Sequence, residues 1–150
     1  MNAISLDLQL HLERSRCINA FVEVEKAVVM LSEKLCPGHN CELLSQKIRR
    51  IRDVPASSIY SKEQRKQLHT ALDEVETLQP IRNDIVHGAL AVLTDGELPH
   101  AAFINVRQVD KLAPVARLLT LNQLQDVTKM VCILARRLEN ALVRPVRQQA

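Results

Sequence analysis

An arginine and a histidine five positions apart are the residues of this sequence best suited to chemistry. They enclose the segment Arg82-Asn83-Asp84-Ile85-Val86-His87. Imidazole titrates near neutrality, whereas guanidinium stays charged and donates hydrogen bonds in a fixed fork. Cleavage of RNA by its own 2′-hydroxyl needs a proton acceptor, a proton donor and a cation beside the phosphate. The segment therefore holds the residue types that RNA cleavage without a metal requires.

The spacing within this segment limits how its side chains can meet. At about 100° per residue, Asn83 and His87 share a helix face, whereas Arg82 points about 140° away from His87. The two converge only if the arginine side chain wraps around the helix, if the helix ends near Gly88, or if a second subunit completes the site. A non-catalytic interpretation stays open, in which Arg82 pairs with Asp84 or another acidic neighbour and the helix dipole stabilises His87 at the C-terminus.

Glu25 also stands out by its position in the sequence. It lies within an apolar stripe of the first predicted helix, where an unpaired carboxylate is costly. We therefore expect Glu25 to accept a hydrogen bond from Arg82, Asn83 or His87 and to hold the segment in register. A glutamate at an interface, or one whose carboxylate reaches solvent, is the alternative.

The segment and its setting resemble a known superfamily. Arg82-Asn83-Asp84-Ile85-Val86-His87, late in a helix of a small bundle, is similar to the Arg-polar-x-x-x-His signature of the HEPN superfamily (higher eukaryotes and prokaryotes nucleotide-binding). The resemblance covers the order of helices over most of the chain, but its specific signal is these six residues and Gly88. It implies a helical bundle, a homodimer that brings two motifs to one cleft, and frequent metal-independent RNase activity, commonly in toxin–antitoxin or defence systems.

The resemblance also implies a role for each residue of the motif. Arg82 would bind the scissile phosphate, His87 would act as general acid or base, and Asn83 would orient them. The expected function is a metal-independent endoribonuclease, with RNA as its substrate and an antitoxin or other protein as a further partner. Two alternatives stay open: a catalytically silent HEPN-like module that binds nucleic acid, a nucleotide or a protein, and a purely structural helical dimerisation domain.

Two other polar segments indicate a possible binding site, but less specifically than the motif does. One is a basic face that could contact RNA phosphates, although an ordinary solvated face explains it as well. It consists of Lys47, Arg49, Arg50 and Arg52. The other, Cys36 to Cys41, contains three candidate metal ligands. Structural zinc sites use four ligands, usually in two separated pairs, so we expect neither a metal nor a cofactor.

Length and composition favour one folded domain spanning residues 1–150. Apolar residues make up 47% of the chain and charged residues 25%, which is ordinary for a packed globular protein. Its only aromatic residues are Phe21, Tyr60 and Phe103, which counts against a surface that stacks bases, as in RRM or OB folds. The sequence shows neither a signal peptide nor an apolar run of about 18 residues, so we expect a cytoplasmic protein without a membrane segment.

Hydrophobic periodicity predicts the elements that position the motif. The predicted helices span residues 4–35, 41–53, 61–87 and 121–143. Pro80 either divides the third of these or lies within one long helix. Asp95-Gly96 predicts a two-residue turn in a short β-hairpin over residues 89–106.

The predicted fold is therefore all-α: a HEPN-like bundle of four to five helices with an inserted hairpin. Its long aliphatic helices offer more apolar surface than one small bundle covers, so we also expect a homodimer.

Overall fold

The computed structural model describes residues 4–38, 43–94, 96, 98–105 and 116–143. Within them the chain forms four helices and a three-stranded antiparallel sheet. The helices are α1 (Leu6–Leu35), α2 (Leu44–Asp53), α3 (Lys62–His87) and α4 (Leu121–Glu139). The strands are β1 (Ala89–Leu93), β2 (His100–Ile104) and β3 (Ala116–Thr120). The predicted helical bundle is confirmed in outline, but the chain contains more sheet than an all-α fold with one hairpin.

Local capping fixes where three of the helices begin. The side chains of Ser5, Ser61 and Thr120 each accept a hydrogen bond from the backbone N–H three residues later. In α3 and α4 a glutamine at that third position also bonds back to the backbone N–H of the cap, which completes a capping box. Pro80 lies inside α3, so the motif belongs to one long helix and not to a separate short one.

The core of the molecule is aliphatic and is organised around α1, which contacts all three other helices. Its most extensive contact is with α4. Residues from each helix are fully buried there, among them Leu10, Ile51, Leu72 and Val131. The three aromatic residues are also buried, with Phe21 5%, Tyr60 1% and Phe103 0% exposed.

The sheet differs from the predicted hairpin in two ways. β1 and β2 pair as predicted. Their last pair is Leu93 with His100, so six residues connect the strands, and the prediction of a two-residue turn at Asp95-Gly96 is wrong. β3 adds a third strand, which the sequence analysis did not predict. Its inward-facing positions are Arg117 and Leu119, and this arginine interrupts the alternation of apolar and polar residues by which a half-buried strand is recognised. Residues 106–115, including the last residue of the predicted hairpin, lie outside the described part.

A single glycine joins the motif helix to the sheet. Gly88 follows α3 directly, with extended backbone angles of φ −71° and ψ 144°, and leads into β1. A Cβ at this position would lie 2.4 Å from the carbonyl oxygen of Asp84 and 3.3 Å from backbone and side-chain carbons of Phe103. Lack of space, rather than a left-handed conformation, therefore requires glycine here, and the close approach fixes the end of α3 against β2.

None of the helices in the described ranges combines the length and the apolar character needed to cross a membrane.

Candidate functional site

The side chain of Arg82 points from α3 toward α1, where it meets Glu25. Its Nε and Nη2 atoms both donate to Oε1 of Glu25, at 2.9 and 2.6 Å. Its Nη1 atom donates to Oδ1 of Asn83 at 3.2 Å. The expected hydrogen bond between Glu25 and the motif is therefore confirmed. The side chains of Arg82 and Glu25 are 23% and 33% exposed, so the pair lies at the edge of the core.

Among the residues that the structure describes, these bonds leave part of the Arg82 guanidinium without a partner. The group has five N–H bonds, two on each Nη atom. One N–H on Nη1 and one on Nη2 take no part in the bonds to Asn83 and Glu25. The guanidinium is thus held in a defined orientation and can still donate to a phosphate oxygen.

His87 is the last residue of α3, and its side chain is exposed. No hydrogen bond or ion pair joins its ring to another residue in the described ranges. Asn83, one turn earlier on the same helix face, is exposed too. Since Glu25 holds Arg82 against α1, the arginine does not wrap around α3 toward His87. The helix does end at Gly88, which was one of the three conditions for convergence.

Asp84 ties the motif helix to the sheet and does not pair with Arg82. Its Oδ2 atom accepts a hydrogen bond from Nε of Arg117 at 2.7 Å, and its Oδ1 atom accepts one from Nδ2 of Asn105 at 3.3 Å. The Asp84 side chain is 17% exposed, so its carboxylate is better shielded from water than that of Glu25, which is 33% exposed. The non-catalytic interpretation allowed Asp84 or another acidic neighbour as the partner of Arg82, and that partner is Glu25 rather than Asp84. His87 does lie at the helix C-terminus, as that interpretation supposed.

Arg14 of α1 contacts the end of the motif helix through three backbone carbonyls. Its Nε atom donates to the carbonyl oxygen of Ile85 at 2.9 Å, and its Nη2 atom donates to those of Val86 and Gly88 at 3.4 and 2.8 Å. Its guanidinium carbon lies 5.8 Å from the centre of the Phe103 ring. The last carbonyls of a helix have no partner within the helix, so Arg14 satisfies groups that would otherwise depend on water.

Sequence reasoning found Glu25 but missed Arg14, Arg117 and Asn105. The contacts of Arg14 join residues more than 70 positions apart, and no local pattern indicates them. One signal was present, because Arg14 lies within the apolar stripe of α1 just as Glu25 does. The same rule, that a charge in an apolar stripe needs a partner, could have found it.

The basic residues of α2 do not form one free cationic surface. Arg52 donates from Nη2 to Asp73 at 2.6 Å and to Glu76 at 2.8 Å, both on α3. Of the others, Arg49 is exposed, whereas Lys47 and Arg50 are half-buried. Glu76 and His87 are eleven positions apart on α3, which is about 16.5 Å along the helix axis. The contact of α2 with RNA stays a prediction. It would need an RNA strand long enough to extend from the motif to α2.

The cysteines and the other candidate ligands give no metal centre within the described ranges. No group of three His, Cys, Asp or Glu side chains in those ranges could hold an ion. Residues 39–42 fall outside them, so the prediction for the Cys36–Cys41 loop stays a prediction. Cys17 is fully buried, and burial raises the pKa of its thiol to about 11. It is protonated at neutral pH and is unsuited to act as a nucleophile.

No protein-family model, curated protein or solved structure matches this chain. The resemblance to the HEPN superfamily therefore rests on the six motif residues, on Gly88 and on their helical setting. Because fold alone does not determine function, the function has to be argued from the chemistry of the site.

Proposed function

We propose that the chain is a metal-independent endoribonuclease of HEPN type, with Arg82 and His87 as its catalytic residues. One observation carries most of the support. Arg82 is held by Glu25 and Asn83 with two N–H bonds to spare, and His87 lies exposed at the end of the same helix without a partner in the described ranges. A positioned cation and an accessible imidazole are the groups that cleavage by the 2′-hydroxyl needs.

The proposed reaction balances without a metal or a water molecule. An imidazole takes the proton of the 2′-hydroxyl, and the 2′-oxygen attacks the adjacent phosphorus. The bond from phosphorus to the 5′-oxygen breaks, and that oxygen receives a proton. The products are a 2′,3′-cyclic phosphate and a 5′-hydroxyl. The free N–H bonds of Arg82 donate to the phosphate oxygens as negative charge develops on them.

A homodimer supplies what one chain lacks in this scheme. The reaction needs a proton acceptor and a proton donor at the same time, and each chain contributes one His87. Within one chain Arg82 is bonded to Glu25 and Asn83, and no hydrogen bond joins it to His87 in the described ranges. Two motifs that meet across a dimer would place one histidine as base, the other as acid, and an arginine beside the phosphate.

Incubation of single-stranded RNA with purified protein in EDTA tests this proposal. We expect fragments that end in a cyclic phosphate and begin with a 5′-hydroxyl, identified by mass spectrometry. DNA of the same sequence should stay intact, since it lacks the attacking hydroxyl. Cleavage that stops in EDTA, or that leaves 5′-phosphates, would contradict the mechanism.

A binding module without catalysis is the second candidate, and the Glu25 contact favours it. A carboxylate that accepts two hydrogen bonds from Arg82 weakens the attraction of that arginine for phosphate. Binding of RNA at low salt without cleavage of any RNA supplied, by protein that is folded, would favour this candidate over the enzyme.

A further inference from the structure

The C-terminal end of a helix is an unfavourable place for a phosphate unless the partial negative charge of the helix end is compensated. Aligned peptide dipoles place about half a negative charge at a helix C-terminus, mainly on carbonyls without partners. His87 lies in this last turn of α3. Any phosphate that reaches the His87 ring therefore approaches the negative end of the dipole.

Arg14 lies where it can compensate this charge. Its three hydrogen bonds go to carbonyl oxygens at the end of α3 and just beyond it, namely those of Ile85, Val86 and Gly88. Its guanidinium has no carboxylate partner among residues 4–38, 43–94, 98–105 and 116–143. The full positive charge of Arg14 is thus directed at the end of the helix.

The two other arginines at the motif differ from Arg14 in this respect. Arg82 is paired with Glu25, and Arg117 is paired with Asp84. These two arginines and two carboxylates cancel in net charge. Among these three arginines and two carboxylates, Arg14 is the arginine without a carboxylate partner in the described ranges, so the five groups carry one net positive charge.

We infer that Arg14 is a positioning residue of the site: it supplies the net positive charge that lets a phosphate approach His87, and it fixes the last turn that holds His87. This inference rests on the proposed function, because it takes an RNA phosphate as the ligand. Arg14 does not contact the reacting atoms in this arrangement. It acts through the backbone of the motif helix.

Replacement of Arg14 by residues that separate charge from geometry tests the inference. Arg14→Gln removes the charge, and Arg14→Lys keeps the charge but loses the fixed fork. Arg16→Gln is the control for loss of a positive charge on α1. Arg16 lies two residues away, is 70% exposed, and contacts Glu13 at 3.4 Å instead of the motif. The probe is a fluorescent single-stranded 2′-O-methyl RNA, which cannot be cleaved, and its Kd is measured by anisotropy at low and at high salt.

We expect Arg14→Gln to weaken binding about fivefold or more at low salt, with a difference that shrinks at high salt because exposed charges are screened. Arg16→Gln and Arg14→Lys should stay within about twofold of the unaltered protein. With cleavable RNA, Arg14→Lys should still lower kcat, because the last turn of α3 is held less rigidly.

Three results would overturn the inference. Equal effects of Arg14→Gln and Arg16→Gln in folded proteins would overturn it alone and leave the proposed function standing. Absence of any binding by the unaltered protein would overturn the proposed function together with it. If the Arg14→Gln protein does not fold, the Arg14→Lys protein decides the question. Because lysine keeps the positive charge, loss of RNA affinity in folded Arg14→Lys protein would contradict the role of charge.

Discussion

The Glu25 carboxylate has two opposite effects on Arg82. It fixes the guanidinium through hydrogen bonds at 2.9 and 2.6 Å, and it reduces the positive charge that a phosphate meets. Both side chains are partly open to water, so solvent screens the attraction and the pair adds little to stability. The main consequence of the contact is orientation of the arginine at the motif.

Glu25→Gln should therefore separate binding from catalysis. The amide keeps the size of the side chain but removes its charge, so we expect a lower KM for RNA, because Arg82 attracts phosphate more strongly. We expect kcat to fall about tenfold or more, because Arg82 is held less firmly. The free energy of unfolding should change by about 1 kcal/mol or less, as is usual for an exposed ion pair. Steady-state kinetics and urea denaturation measure these quantities.

Glu23→Gln is the control for this experiment. Glu23 is exposed on α1 and pairs with Lys26 at 2.8 Å, away from the motif. It should leave both kinetic constants near those of the unaltered protein. A Glu25→Gln protein that loses RNA affinity, or that keeps its full kcat, would show that Glu25 does not orient Arg82.

Individual residues of the site differ in how far the sequence could predict them. The contact of Glu25 with the motif was predictable because a carboxylate in an apolar stripe needs a hydrogen-bond donor, and Arg82, Asn83 and His87 were the expected donors. The pairing of Asp84 with Arg117 was not predictable, since Arg117 lies on a strand that the sequence pattern did not indicate. A partner on an unpredicted element cannot be assigned by any local rule.

At the scale of elements, the end of α3 is held from two sides. Arg14 of α1 binds its last carbonyls, and Gly88 lies directly against Phe103 of β2. Helix boundaries were well predicted from Ser61 and Gly88, because caps and breakers act locally. The third strand was not, because Arg117 occupies an inward-facing position and breaks the alternation of apolar and polar residues.

Gly88→Ala should destabilise the protein through this junction. The added methyl group would lie 2.4 Å from the carbonyl oxygen of Asp84, and backbone atoms cannot move aside as easily as a flexible side chain. We expect the free energy of unfolding to fall by about 1–3 kcal/mol, the usual range for overpacking. Urea denaturation followed by circular dichroism measures it.

Ala89→Ser is the control, since it alters the exposed neighbouring position at the start of β1. Its free energy of unfolding should stay within about 0.5 kcal/mol of that of the unaltered protein. Equal stability of the Gly88→Ala protein would mean that the end of α3 is not packed as closely as described.

At the scale of the whole molecule, several large apolar side chains stay exposed on α1 and α4. They include Leu8, Leu12, Val22, Met130 and Ile133, each at least 40% exposed. Single exposed apolar residues are common, but Leu8 and Leu12 are neighbours on α1, and Met130 and Ile133 are neighbours on α4, so each helix presents an apolar surface for association. The homodimer expected from the sequence stays a prediction, and this surface supports it.

Sedimentation equilibrium at micromolar concentration measures the state of association. We expect a species of twice the chain mass of 16.9 kDa. A single species at the chain mass across this range of concentration would contradict the dimer and, with it, the sharing of acid and base roles between two copies of His87.

The central claim is that the Arg82 and His87 motif cleaves RNA, and the cleavage rate of His87→Ala in EDTA tests it most directly. His11→Ala serves as the matched control, because His11 is an exposed histidine on α1 near Asp7. We expect His87→Ala to lower the rate by about 10²-fold or more, the usual size of a general acid–base contribution. The His11→Ala protein should cut at the rate of the unaltered protein. Cleavage by folded His87→Ala protein at an undiminished rate would contradict the claim.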